Sequence, residues 1–146
     1  MLAPPRVRQL PTLDGMGSVR LDELSVPLQA ALERMLTQPK RLRPWVRVED
    51  TVTGRFVQFC GDNETPLMID LPDPQHGSDF SHVPKLRAPD GRSFYLDSIP
   101  NGFAWRQQWP EPRFEEIAAL ALTILRTVHR LPDEAALKLI VEPRPN

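Results

Sequence analysis

The sequence lacks the features that mark several large classes of protein. A single cysteine, Cys60, cannot form a disulfide within the chain, so the fold does not depend on an oxidising compartment. The longest apolar run covers only residues 117–125, whereas a membrane-spanning helix needs about 20 residues. We therefore expect a soluble, cytoplasmic protein that makes no contact with a membrane.

The chain also lacks an excess of charge of either sign. Its 18 basic and 19 acidic side chains leave a net charge of −1. Domains that bind nucleic acid usually carry a clear excess of lysine and arginine. The charge balance therefore argues against nucleic acid as the partner.

No recognised catalytic or phosphate-binding motif is present. The sequence contains no Gly-x-Ser-x-Gly nucleophile elbow, no Gly-x-x-x-x-Gly-Lys loop and no Gly-x-Gly-x-x-Gly turn. The adjacent carboxylates Glu115 and Glu116 fit the first turn of a helix, where the helix dipole favours negative charge. We predict that the protein is not an enzyme and needs no cofactor.

Proline is the residue that the sequence has in excess. Its 17 prolines among 146 residues are more than twice the usual share of about 5%. They break the chain mainly near its ends and in one internal stretch. We predict an extended N-terminal arm over residues 1–20, a proline-rich irregular loop over residues 72–92 and a tail over residues 143–146. Residues 21–142 are expected to form one α+β domain that includes this loop.

Two segments have the apolar spacing of amphipathic helices. The first begins at Ser25, a good N-cap residue, and ends before Pro39. The second spans residues 112–130 and carries His129 in its last turn, where a cationic imidazole is favourable. The apolar stripe of the first helix consists of Leu28, Ala31, Leu32, Met35 and Leu36.

Apolar and polar residues alternate between the two helices, as they do in β-strands. Residues 45–49, 55–60 and 67–71 predict an antiparallel meander with short turns. Further strands are predicted over residues 93–97, 103–109 and 137–142. The predicted fold class is α+β, with an N-terminal helix, an antiparallel meander sheet of about five to six strands, and a long C-terminal helix packed on the sheet.

Two helices are too few to cover such a sheet, so we expect apolar sheet surface to remain uncovered. An extended partner segment would add to the sheet by main-chain hydrogen bonds and fill pockets between its side chains. The predicted partner-binding residues of the sheet are Phe56, Val57, Phe59, Trp105 and Trp109. The first helix offers a homodimer surface through Leu28, Leu32 and Met35.

The proline-rich loop leaves a metal site open as an alternative. Aspartates and histidines recur there at every third position, a spacing that a polyproline II helix would align on one face. Imidazole and carboxylate ligands suit zinc, iron or manganese. A solvated loop is the simpler interpretation. The residues of the pattern are Asp70, Asp73, His76, Asp79 and His82, of which the last four are the candidate ligands.

A local basic patch surrounds Trp45 although the overall charge is balanced. Basic residues beside an aromatic ring can hold single-stranded nucleic acid by charge and stacking. Acidic residues follow at positions 49 and 50, so a solvated strand edge explains the patch more simply. The basic residues of the patch are Lys40, Arg41, Arg43, Arg47 and Arg55.

For Cys60, nearby acidic residues predict an unreactive thiol.

Two stretches resemble a known group of domains. Residues 55–59 (RFVQF), which follow a helix and one strand, resemble the middle strand of the TY-Chap group, the YbjN-like and type III secretion chaperone-like peptide-binding domains. Residues 100–106 (PNGFAWR), 109–112 (WPEP) and the helix after them resemble its closing hairpin and helix. The resemblance implies a twisted antiparallel sheet between two helices and a non-enzymatic protein, often dimeric, that binds a peptide segment. The chain departs from the group at residues 72–92.

The leading hypothesis is a non-enzymatic cytoplasmic adaptor or chaperone-like module that binds an extended segment of a partner protein. One alternative is a structural or assembly subunit of a phage-like or secretion particle, with proline-rich arms that contact neighbouring subunits. The other is a metal-dependent enzyme that uses the loop over residues 70–82.

Overall fold

A computed structural model describes residues 18–144. Most of the predicted N-terminal arm (1–17) and the end of the predicted tail (145–146) lie outside these residues. The strands and helices, in chain order, are β1 (Val19–Arg20), α1 (Ser25–Met35), β2 (Trp45–Asp50), β3 (Phe56–Cys60), β4 (Leu67–Asp73), β5 (Tyr95–Ile99), β6 (Gly102–Trp109), α2 (Phe114–Thr127) and β7 (Ala136–Glu142).

The strands form one seven-stranded antiparallel sheet in the order β1-β7-β2-β3-β4-β6-β5. The predicted meander is present as β2, β3 and β4. The next hairpin joins the sheet through its second strand, so β6 lies beside β4 and β5 forms an edge. The last strand, β7, inserts between β1 and β2. The structure thus confirms the α+β class and the C-terminal helix packed on the sheet.

Both helices contact the same side of the sheet. Helix α1 contacts β2 and β7, helix α2 contacts β3, and the two helices contact each other. Side chains alternate along a strand, so every second residue points into this layer. Val46 and Val48 of β2, and Val57 and Phe59 of β3, are fully buried there. The period-two pattern therefore defines a one-sided core.

The helix ends differ from the prediction in detail. Helix α1 begins at Ser25, but Leu24 occupies the N-cap position and no side chain caps the helix. The Ser25 hydroxyl instead accepts a hydrogen bond from Gln29 at 3.0 Å. Helix α2 begins at Phe114 and ends at Thr127, shorter at both ends than predicted.

The proline-rich segment is more ordered than predicted. Strand β4 continues to Asp73, and a 3-10 helix spans Phe80–Lys85. The Asp79 backbone N–H donates to the Val128 carbonyl at 2.8 Å, which ties the segment to the end of α2. Buried side chains of the segment then join the main core, because the helices alone do not cover the β4–β6 half of the sheet. These side chains are Val83 and Ala88, and Phe94, which lies between the segment and β5, is buried in the same core.

None of the helices found in residues 18–144 is long and apolar enough to cross a membrane.

Replacement of Val83 by alanine tests whether the proline-rich segment belongs to the core. Val83 is fully buried, so Val83→Ala should lower the free energy of unfolding by about 2 kcal/mol, measured by urea denaturation. The control is Val52→Ala, since Val52 is 86% exposed in the β2–β3 turn and its loss should change the free energy by less than about 0.5 kcal/mol. Equal effects of the two substitutions would contradict the core role.

Candidate functional site

The structure separates the predicted partner-binding residues into buried and accessible ones. Most of them lie in the core, because the strand residues sit on the covered face of the sheet and the α1 residues pack against that face. They are therefore unavailable to a partner in the folded chain. Only Phe56 and Trp105 keep part of their surface in solvent, and they lie on opposite faces of the sheet. The buried ones are Leu28, Leu32, Met35, Val57, Phe59 and Trp109.

The outer face of the sheet is not the surplus apolar surface that the sequence predicts. Polar side chains form a row across its centre. The Arg47 guanidinium donates to the Gln58 side-chain oxygen at 2.8 and 3.0 Å. Arg106 donates to Asp70 at 3.2 Å and to Asp97 at 2.8 Å. The face is therefore a mixture of charged, polar and aromatic groups rather than an apolar docking surface.

Arg47 also covers the aromatic rings of this face. Its guanidinium carbon lies 4.1 Å from the centre of the Phe56 ring and 5.5 Å from that of Trp45. Cation–π contacts of this kind hold a charged side chain flat on aromatic carbon. Phe56 is thereby shielded on the outer face, and Trp45 is held in place near the start of β2.

On the face that carries the helices, exposed apolar side chains lie on the hairpin of β5 and β6. Leu96 is 48% exposed and Phe103 is 50% exposed, although both side chains point to the side of the sheet that carries the helices. Trp105 is Leu96's partner in register, and its indole N–H donates to Asp73 at 3.3 Å. Phe103, Trp105 and Trp109 thus form an aromatic strip on this face of β6, which runs from buried Trp109 to exposed Phe103.

Strand β5 forms the edge of the sheet beside this strip. Within residues 18–144 it pairs with β6 alone, and no other backbone hydrogen bond of that part of the chain involves Tyr95–Ile99. In an antiparallel strand, alternate residues direct their N–H and C=O groups away from the partner strand. The outer side of β5 therefore presents main-chain donors and acceptors that another strand can use.

His129 does not have the cationic role at the helix end that the sequence predicts. It is fully buried. One ring nitrogen, Nε2, lies 2.8 Å from the Phe56 carbonyl and donates to it, because a carbonyl can only accept. Nδ1 then accepts the hydroxyl proton of Ser78 at 2.6 Å. Burial lowers the pKa of His129 to about 4, so the imidazole is neutral at physiological pH.

Arg55, a half-buried member of the predicted basic patch, contacts the main chain at His129 and His76. Its guanidinium donates to the His129 carbonyl at 2.7 Å and to the His76 carbonyl at 2.8 Å. Gly77 has φ +84°, and a Cβ there would stand 1.9 Å from Arg55 Nη2. The contact therefore requires glycine. Together these groups fasten the proline-rich segment to β3 and to the end of α2.

The aspartates and histidines of the proline-rich segment do not converge. Across residues 18–144, no three His, Cys, Asp or Glu side chains lie close enough to hold a metal ion. Asp70 pairs with Arg106, Asp73 accepts from Trp105, and His76 is exposed. The polyproline II geometry assumed for a period of three is absent because part of the segment forms a 3-10 helix.

Asp79 has a structural role at the start of that 3-10 helix. Its carboxylate accepts the Ser81 backbone N–H at 3.0 Å and pairs with Arg130 at 3.0 Å. Hydrogen bonds from Ser81, and then from Arg130, lower the pKa of Asp79 to about 2. The Nε2 atom of His82 lies 3.9 Å from the same carboxylate. Asp79 is thus the N-cap of the 3-10 helix.

Cys60 lies at the end of β3 on the outer face. Burial, and next the negative charge of Asp70, raises the pKa of Cys60 to about 11. The thiol therefore stays protonated at neutral pH, as expected of an unreactive cysteine.

No protein-family model, no curated protein and no solved structure matches the chain.

The buried histidine predicts a pH-dependent stability. An unfolded histidine has a pKa near 6.5, so the unfolded chain binds more protons than the folded chain between that pH and about 4. The contribution of His129 to the free energy of unfolding should therefore be full well above pH 6.5. It should fall as the pH is lowered toward 4. Between pH 7 and 5.5 we expect a loss of about 1 kcal/mol in the free energy of unfolding by urea.

Two substitutions assign this effect to one residue. His129→Gln should lower stability at pH 7 and remove most of the loss between pH 7 and 5.5. His76→Gln, which replaces an exposed histidine, should leave the pH dependence as in the wild type. An unchanged pH dependence in His129→Gln would show that another group is responsible.

Proposed function

We propose that the protein is a non-enzymatic adaptor that binds an extended segment of a partner protein as an additional strand beside β5. The observation that carries this proposal is the exposed edge of β5 next to exposed Leu96 and Phe103. Strand addition of this kind uses main-chain hydrogen bonds for affinity and alternate side-chain contacts for selectivity.

The geometry of the edge defines the partner's sequence pattern. Successive side chains of an added strand point to opposite faces of the sheet. Those on the helix side meet Leu96 and Phe103 and need to be apolar. Those on the other side meet Tyr95, which is 42% exposed, and the carboxylate of Asp97. We therefore propose a segment with an apolar residue at every second position and polar or basic residues between them.

The imidazole of His129 does not suit general acid–base catalysis. Both ring nitrogens of His129 are engaged, one with Phe56 and one with Ser78, and the ring is fully buried. An imidazole in catalysis must reach a substrate atom. The proposal of a peptide-binding adaptor also agrees with the resemblance to the TY-Chap group, which stays a prediction.

A peptide selection tests the proposed strand addition. A random-peptide library displayed on phage is selected on the wild-type protein, and bound peptides are titrated by fluorescence polarisation. The double substitution Leu96→Glu with Phe103→Glu should weaken binding at least tenfold, because carboxylates remove the apolar contact. N-methylation of alternate peptide amides should have a similar effect, since it removes main-chain donors.

The control for this experiment is Val52→Glu, which introduces the same charge at an exposed valine far along the sheet from β5. It should leave peptide affinity unchanged. Hydrogen exchange gives the location, because the outward amides of β5 should exchange more slowly in the complex. Selected peptides that bind the double variant as tightly as the wild type would refute the proposal.

The same edge also favours self-association as a second candidate, in line with the alternative of an assembly subunit. Two copies of β5 would pair antiparallel and bury Leu96 and Phe103 of both. Sedimentation equilibrium measures this directly. A wild-type dimer that becomes a monomer in the double variant would identify a second copy as the occupant of the edge, whereas a monomeric wild type would leave the edge for another protein.

A further inference from the structure

A cleft lies on the outer face of the sheet, away from the edge of β5. It is a cleft of about 450 Å³ at the ends of four central strands. The connections before β2 and between β3 and β4 form parts of its rim, and the sheet forms its floor. The volume falls within the range of about 300–1,000 Å³ that is usual for small-molecule sites. The residues used below are Lys40, Arg43, Trp45, Asp62 and Met68.

The rim before β2 carries two cations that the fold does not use. Lys40 and Arg43 are exposed and, within residues 18–144, form no ion pair. Arg43 moreover adopts a left-handed backbone conformation, with φ 47° and ψ 58°. Glycine is the residue that occupies this conformation most easily. A cation at this position therefore opposes the local backbone preference, which points to a use for its side chain.

The wall of the cleft offers an aromatic surface beside these cations. Trp45 is half-buried, and the Arg47 guanidinium, held by Gln58, lies 5.5 Å from its ring centre. The indole is thus fixed before any ligand arrives, which reduces the entropy lost on binding. The thioether of Met68 adds a polarisable apolar contact in the cleft.

We infer that this cleft binds a small aromatic anion, a planar ring that carries one carboxylate or phosphate group. The ring would stack on the part of the Trp45 indole that lines the cleft and is not covered by Arg47, and the anionic group would lie between Lys40 and Arg43. Asp62 lies in the same lining and would repel a second distant anionic group. This charge distribution favours a compact ligand over a nucleic-acid strand with many phosphates.

Isothermal titration calorimetry tests the inference with two anionic probes, indole-3-carboxylate and adenosine 5′-monophosphate. Indole, adenosine and inorganic phosphate are the matched compounds that lack either the charge or the ring. We expect one or both anionic probes to bind at one site, at least tenfold more tightly than the three matched compounds. The two anionic probes distinguish a carboxylate ligand from a phosphate ligand, and binding of either supports the site.

Nuclear magnetic resonance locates the bound probe. The Trp45 indole N–H resonance, assigned with Trp45→Phe, should shift on titration, while that of Trp109, which is buried and bonded to Gln107 at 2.9 Å, should not.

Arg43→Gly is the decisive substitution. It removes the cation and also places glycine in a left-handed backbone conformation that glycine adopts without strain. Its melting temperature should equal or exceed that of the wild type, while the affinity for the bound probe falls about tenfold or more. The control is Arg41→Gly in the 3-10 helix Lys40–Leu42 that directly precedes Arg43, since Arg41 does not line the cleft. The Leu96→Glu, Phe103→Glu variant should bind the probe normally, which separates this site from the edge of β5.

Three results would overturn the inference. The first is that neither anionic probe binds more tightly than the matched compounds. The second is that Arg43→Gly binds the probe as tightly as the wild type. The third is that oligothymidylate binds in competition with the probes and with a steeper dependence on salt than one phosphate contact gives, which would assign the cleft to nucleic acid.

Discussion

The structure depends on the burial of one face of its sheet. Strands β2, β3 and β4 each alternate between buried side chains, which are apolar except for Asp50, and side chains of intermediate exposure. Two helices and the proline-rich segment all lie on the buried side, where apolar burial provides the main stabilising free energy. The other side is left to polar pairs and cation–π contacts. The two candidate sites lie where this burial is absent, one at the edge of β5 and one on the outer face.

The covering layer is complete over the centre of the sheet and ends before β5. Trp109 is 2% exposed, whereas Phe103, six residues earlier on the same face of β6, is 50% exposed. The apolar strip at the edge is therefore the continuation of the core beyond the layer that covers it. On the outer face, by contrast, recognition would depend on charge and stacking at the cleft. The two sites thus differ in chemistry and lie on opposite faces.

Polar contacts, most of them partly buried, hold the proline-rich segment in this layer. His129, just after α2, bonds to Ser78 of the segment and to the Phe56 carbonyl. Arg55 donates to two further carbonyls. Buried polar groups that lose a partner are costly, so these bonds specify one position for the segment. A sequence rich in proline thus forms an ordered part of the core.

Local patterns in the sequence were sufficient to predict the helices, most strands and the α+β class. The alternation in residues 45–49 and the stripe from Leu28 to Leu36 are properties of neighbouring residues, and period and burial are coupled in every helix and strand. The tertiary structure alone decided that Trp109 is buried and Phe103 exposed, that β6 rather than β5 joins β4, and that His129 is neutral. Each of these outcomes depends on which distant segment packs against the residue, and that contact is not encoded in the spacing of its neighbours.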